Sequence, residues 1–126
     1  MRVRLACISA LLAVCAMAPP AGAPAPIREL NGRVAQPAVN CVRLESHKML
    51  RTPDSNRNAL LYGSGSTIWL NQLAPGCTYG NNDVLVTEPF GSSLCRGDIV
   101  RSFDRLSRIP GPACVIGDFV PYNRAR

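Results

Sequence analysis

Hydrophobic residues in this chain come in short bursts cut by glycine, proline, serine and asparagine. Beyond the amino terminus the bursts fall at residues 41–44, 59–62, 67–71, 84–87, 98–103 and 114–120. Each has the length of a strand and is rich in Val, Ile, Leu and aromatics, the composition that fits a pleated surface. In the third burst Ile68 and Leu70 fall on one side and Trp69 on the other. In the fifth, Ile99, Arg101 and Phe103 alternate with Val100 and Ser102. Gly63-Ser64-Gly65-Ser66 suits a hairpin turn between the second and third bursts, because glycine reaches positive φ without steric cost. Pro75-Gly76, Gly91-Ser92-Ser93 and Pro110-Gly111-Pro112 mark further turns. No segment carries a helical apolar stripe; residues 45–51 allow one helical turn before Pro53 stops it. The pattern predicts an all-β domain of about five to seven short antiparallel strands, a small barrel or sandwich.

The amino terminus has a different character. Arg2 and Arg4 precede an uncharged apolar run over residues 5–18, and Ala21-Gly22-Ala23 forms a small-residue cleavage site. This is the layout of a secretory signal peptide at residues 1–23, and its apolar run is shorter than the roughly 20 residues a membrane span needs. Cleavage would leave 103 residues with a net charge of +4, enough for one domain with one modest core. Residues 24–38, rich in Pro and Ala, read as a flexible lead-in. The stapled domain is expected at 39–121 and a frayed tail at 122–126.

The export signal gives the cysteines their meaning. Cys7 and Cys15 leave with the signal, and Cys41, Cys77, Cys95 and Cys114 remain, an even set for an oxidising compartment. They predict two disulfides that staple the domain. No C-x-x-C pair occurs and His47 is the sole imidazole, so neither a metal nor a cofactor is expected. Four cysteines allow three pairings and the sequence does not choose; the expectation taken forward is Cys41–Cys114, tying the ends, and Cys77–Cys95, closing the middle.

The basic groups are almost all arginine, Lys48 being the lone lysine, and they are scattered. Scattered charge gives no nucleic-acid footprint, and no stable membrane insertion is expected. The partner left open is an envelope protein or polysaccharide, met by a monomer.

Four motifs occur in order: Cys41; Trp69-Leu70-Asn71-Gln72-Leu73 before Cys77; Cys95-Arg96-Gly97-Asp98; and Cys114-Val115-Ile116-Gly117-Asp118-Phe119. Over about residues 39–121 the arrangement resembles a family of small exported bacterial proteins of unknown function, common in alphaproteobacteria, with four cysteines and a Cys-x-Gly-Asp motif. It departs from them after Cys77, where Thr78-Tyr79-Gly80 replaces a Pro-Gly turn. The resemblance implies a periplasmic, all-β, non-enzymatic module and supplies no catalytic residue.

Catalytic readings find little support. Ser46 neighbours His47 in sequence and so points away from it on a strand, and no G-x-S-x-G elbow is present. Asp98 and Asp118 are candidates for paired-carboxylate chemistry, but each follows a glycine, where aspartate commonly caps a turn. Arg96-Gly97-Asp98 is read as a turn beside Cys95. Trp69 is expected to pack against Tyr62 across neighbouring strands, and Asn71 to bond the backbone near the Cys77 turn. Trp69, Asn71, Gly97, Asp98, Gly117 and Asp118 are thus the residues expected either to shape turns or to contact a ligand. The leading expectation is an exported, periplasmic or secreted binding or structural module. Contacts would come from edge strands and from the loops at 81–83 and 105–112. An enzyme inhibitor is the alternative, and a hydrolase a more distant one.

Overall fold

The computed structural model describes residues 26–126; the expected signal peptide at 1–23 lies outside them. Ten strands follow a 3-10 turn at Arg28–Leu30: β1 Arg33–Ala35, β2 Cys41–Arg43, β3 Leu50–Arg51, β4 Ala59–Tyr62, β5 Thr67–Gln72, β6 Asp83–Thr87, β7 Ser93–Cys95, β8 Ile99–Asp104, β9 Cys114–Val115 and β10 Phe119–Arg124. They form an antiparallel five-stranded sheet in the order β1-β10-β5-β4-β3, the pair β2-β7, and a three-stranded sheet β6-β8-β9. The protein is all-β, as its sequence predicts, and among the described residues no α-helix occurs. No ladder joins one sheet to another. The arrangement is therefore open rather than a closed barrel.

All three sheets contribute to one core. Leu60, Tyr62 and Phe119 come from the large sheet, Val42 and Leu94 from the pair, and Val100 and Cys114 from the third sheet, with Leu73, Tyr79 and Ile116 between them. Strand β4 is buried along its whole length, without alternation. The reason is a second, smaller cluster on the other face of the large sheet. There Ile27 and Leu30 cover Ala59, Leu61 and Ile68. Residues 27–35 therefore belong to the domain instead of forming a tether. β1 pairs with β10 from Arg33↔Arg124 to Ala35↔Tyr122, which also draws residues 122–124 out of the expected tail and into the sheet. The proline-rich composition hid two buried aliphatic residues and a short edge strand.

The two disulfides are Cys41–Cys95 and Cys77–Cys114, which corrects the expected pairing. Cys41 and Cys95 are direct cross-strand partners at the end of β2-β7, with Cα atoms 4.0 Å apart. The expectation failed because Ser93 was read as a turn and residues 94–95 were given no strand, leaving none to face Cys41. The second bond ties the loop after β5 to β9. Such bonds are more typical of proteins that fold outside the cytoplasm. No described helix is long and apolar enough to cross a membrane.

Candidate functional site

The residues singled out from sequence fall into two groups, and both are engaged in holding the fold. Trp69 faces Tyr62 across β4-β5, with ring centroids 5.9 Å apart and planes inclined by 45°. Lys48 Nζ lies 4.9 Å from the Trp69 ring and 2.7 Å from Glu45 Oε1. That hydrogen bond, with the nearby positive charges, holds the Glu45 carboxyl below its usual range. Tyr62 Oη accepts from Glu45 N and donates to Arg43 O, both at 2.9 Å. Residues 45–49 make no helix. They form a turn pinned over the aromatic pair, and His47 projects from it into solvent beside Glu45 Oε2, 3.2 Å away.

The second group gathers Asn71, Gly97, Asp98, Gly117 and Asp118 around the link between β9 and β10. Asn71, 1% exposed, accepts from Gly117 N at 2.9 Å and donates to Gly117 O at 2.7 Å. Its side chain completes the backbone pairing of Gly117 as a strand would. This bond lies at Gly117, and not near the Cys77 turn as expected. Gly117 suits the close fit, since a Cβ there would sit 3.0 Å from Gln72 O and press on that backbone. In the turn 95–98, Asp98 N donates to Cys95 O at 3.1 Å and Asp98 Oδ2 accepts from Cys95 N at 2.7 Å. Gly97 supplies the positive φ, +95°, that such a turn needs at its third position. The turn is sewn to the β9-β10 link by Gly97 N to Ile116 O and Ile116 N to Asp98 O. Arg96 then pairs with Asp118 at 3.3 Å on the surface.

These geometries answer the chemical candidates. Asp98 caps a turn, as expected, while Asp118 forms an ion pair. Glu88 and Asp98 do line one shallow cleft of about 220 Å³, together with Val86, Phe90, Ile99 and Arg101. There one oxygen of Asp98 accepts from Cys95 N, the bond that caps the turn. Among the described residues no group of three His, Cys, Asp or Glu side chains gathers as a metal site would require.

One uncommitted surface is a face that sequence reasoning did not isolate. In β6-β8-β9 the register places Val84 opposite Phe103, Val86 opposite Arg101, and Ile99 opposite Val115. Directly opposed residues share a face, and this face points away from the core. Its other side carries Leu85, Val100 and Cys114 inward. Val86, Ile99 and Val115 are consequently exposed, and beside them Phe90 is 95% exposed. A second depression of about 430 Å³ continues the surface past Arg101 and Phe103 to Arg108 and Pro110. The alternation in residues 98–103 was legible; which side would remain uncovered was not.

The loop that ends this surface is a built one. Asp104 Oδ1 accepts from Leu106 N at 2.9 Å, Ser107 N at 2.8 Å and Ser107 Oγ at 3.0 Å. These bonds, those of Ser107 foremost, hold the Asp104 carboxyl below its ordinary range. Arg108 N donates to Asp104 O, and Asp104 N to Ile109 O. Arg108 closes the loop at φ +61°, with its guanidinium 5.9 Å from the Phe103 ring centre. The chain matches no known protein-family model, no curated protein and no solved structure.

Proposed function

We propose that this chain is an exported, non-catalytic binding module of the bacterial periplasm that docks onto another component of the cell envelope. The observation that carries the reading is the uncovered outer face of β6-β8-β9, where Val86, Ile99, Val115 and Phe90 stand in water beside Arg101. A small monomer gains nothing by leaving contiguous apolar surface open, and such a patch rimmed by polar groups marks an interaction site. The layout of residues 1–23, the two disulfides and the resemblance to small exported bacterial proteins support the compartment. The expected site residues support the non-catalytic part, because each is spent on a turn, an ion pair or a packed aromatic pair.

The test is fractionation of the exported chain. Wild type is expected to sediment with the envelope. A Phe90→Ser/Ile99→Thr variant changes only exposed positions and is expected to move to the soluble fraction with its thermal midpoint unchanged. A wild-type chain that stays wholly soluble, or a variant that sediments equally, contradicts the reading.

A further inference from the structure

Resting on that docking reading, we infer that the loop between β8 and β9 inserts into an anionic lipid surface. Every residue from 105 to 113 is exposed. Within this stretch Arg105-Leu106-Ser107-Arg108-Ile109 alternates cations with large aliphatic side chains. Leu106 is 82% exposed and Ile109 is 65% exposed. They are not held out by disorder of the loop: its backbone is pinned by the carboxylate and the backbone carbonyl of Asp104.

Charge complementarity selects the occupant. Among the described residues no ion pair involves Arg101, Arg105 or Arg108. The loop's own carboxylate, Asp104, has one oxygen saturated by donors of the loop. The exposed stretch 105–113 therefore offers arginine and aliphatic side chains to solvent and holds no carboxylate of its own. Anionic headgroups pair with the arginines while Leu106 and Ile109 enter the boundary of the acyl region beneath them. The depression bounded by Val86, Arg101, Phe103, Arg108 and Pro110 links the loop to the open sheet face. Only the rim of that face at Arg101 and Phe103 shares the loop's cationic and apolar character, since Glu88 and Asp98 line its cleft. Attachment is peripheral and needs no spanning segment.

The experiment is flotation of the purified exported chain with two kinds of vesicle, phosphatidylcholine alone and phosphatidylcholine with phosphatidylglycerol at about 2:1. Wild type is expected to float with the anionic vesicles, to lose binding as salt rises, and to bind the neutral vesicles weakly. Leu106→Ser/Ile109→Ser and Arg105→Gln/Arg108→Gln are each expected to weaken binding by about tenfold or more. Val34→Ser removes an exposed apolar side chain on the edge strand β1 (53% exposed) and is expected to leave binding unchanged. Absence of binding to the anionic vesicles overturns the inference. So does binding that survives loss of both aliphatic side chains, or that polyglutamate abolishes in wild type and aliphatic variant alike; these outcomes point to a soluble acidic partner. A chain that sediments with the envelope in cells but ignores these vesicles overturns the lipid inference, keeps the docking reading and turns it to an envelope protein or polysaccharide.

Discussion

Asn71 and Gly117 show how much a single polar residue carries in a chain of this size. Both amide functions of Asn71 are spent on the backbone of Gly117 in a nearly dry site. Asn71→Ala leaves a buried N–H and a buried carbonyl unpaired, and is expected to cost about 2–4 kcal/mol in urea unfolding. Ser102 is the opposite case. Its hydroxyl is the one buried side-chain polar atom without a partner among the described residues, and it lies where a Cβ at Gly111 would overlap it. Ser102→Ala is expected to be neutral or stabilising by up to about 1 kcal/mol in the same measurement. Tyr79 gives a pH signature. Burial, above all, pushes its phenol upward, and the neutral hydroxyl donates to Val100 O at 2.9 Å. Its contribution is complete below the unfolded value of about 10 and lost as pH climbs through the higher folded value. Tyr79→Phe is expected to lower stability by about 1 kcal/mol at neutral pH and to flatten its decline above about pH 10. At this scale the sequence drew attention to Asn71 and Gly117 but not to their pairing, and it singled out neither Ser102 nor Tyr79. That Asn71 bonds backbone followed from its type and setting; that the backbone lies 46 residues away depends on the β5-β10 pairing, which no local pattern encodes.

At the scale of elements, the amino-terminal segment holds the main lesson. Residues 59–62 are apolar on both sides, a pattern that demands cover on both faces of the strand. The main core supplies one cover, and Ile27 with Leu30 supplies the other. The signal existed in β4 itself, while the prolines upstream suggested only a tether. Ile27→Ala/Leu30→Ala is expected to cost about 3–5 kcal/mol in denaturant unfolding, since it opens Ala59, Leu61 and Ile68 to water. An unchanged midpoint would show that the segment does not dock. The hairpin over 59–72 was legible because Gly63 and Gly65, both at φ +83°, supply the turn chemistry. Strand β7 was not, because its start at Ser93 continues a turn-like run. With it went the true partner of Cys41. Opening Cys77–Cys114 by a double Cys→Ala change is expected to cost about 3–4 kcal/mol by the chain-entropy account. The β8-β9 loop has its own acid sensitivity. Its Asp104 carboxylate sits below the usual value, so the order it imposes is present above the ordinary carboxylate pKa and fades as pH falls through the lowered one. The protection factors of the Leu106 and Ser107 amides, taken against the intrinsic rate at each pH, are expected to fall in acid, and to be near unity at every pH in Asp104→Ala.

At the scale of the whole molecule, three small sheets meet in one core, and the sheet β6-β8-β9 keeps its second face open. The large sheet covers its outer side with chain from the amino terminus; the described residues hold nothing equivalent over Val86, Ile99 and Val115. Composition predicted the all-β class and the two staples because strand patterning and cysteine parity are local and countable properties. It could not show the open face, because Ile99 and Val100 are equally apolar and only the packing decides which of them meets water. Arg108 extends the same argument. A left-handed arginine costs about 1–2 kcal/mol, and here it sets the cation beside Phe103 at the rim of that face. The measurement that tests the docking claim most directly is photo-crosslinking in intact cells, with the reactive side chain placed in turn at positions 90, 99, 106 and, as controls away from the face, 31 and 34. The account predicts envelope adducts from 90, 99 and 106 and none from 31 or 34. Adducts from all five positions alike, or from none, would contradict it.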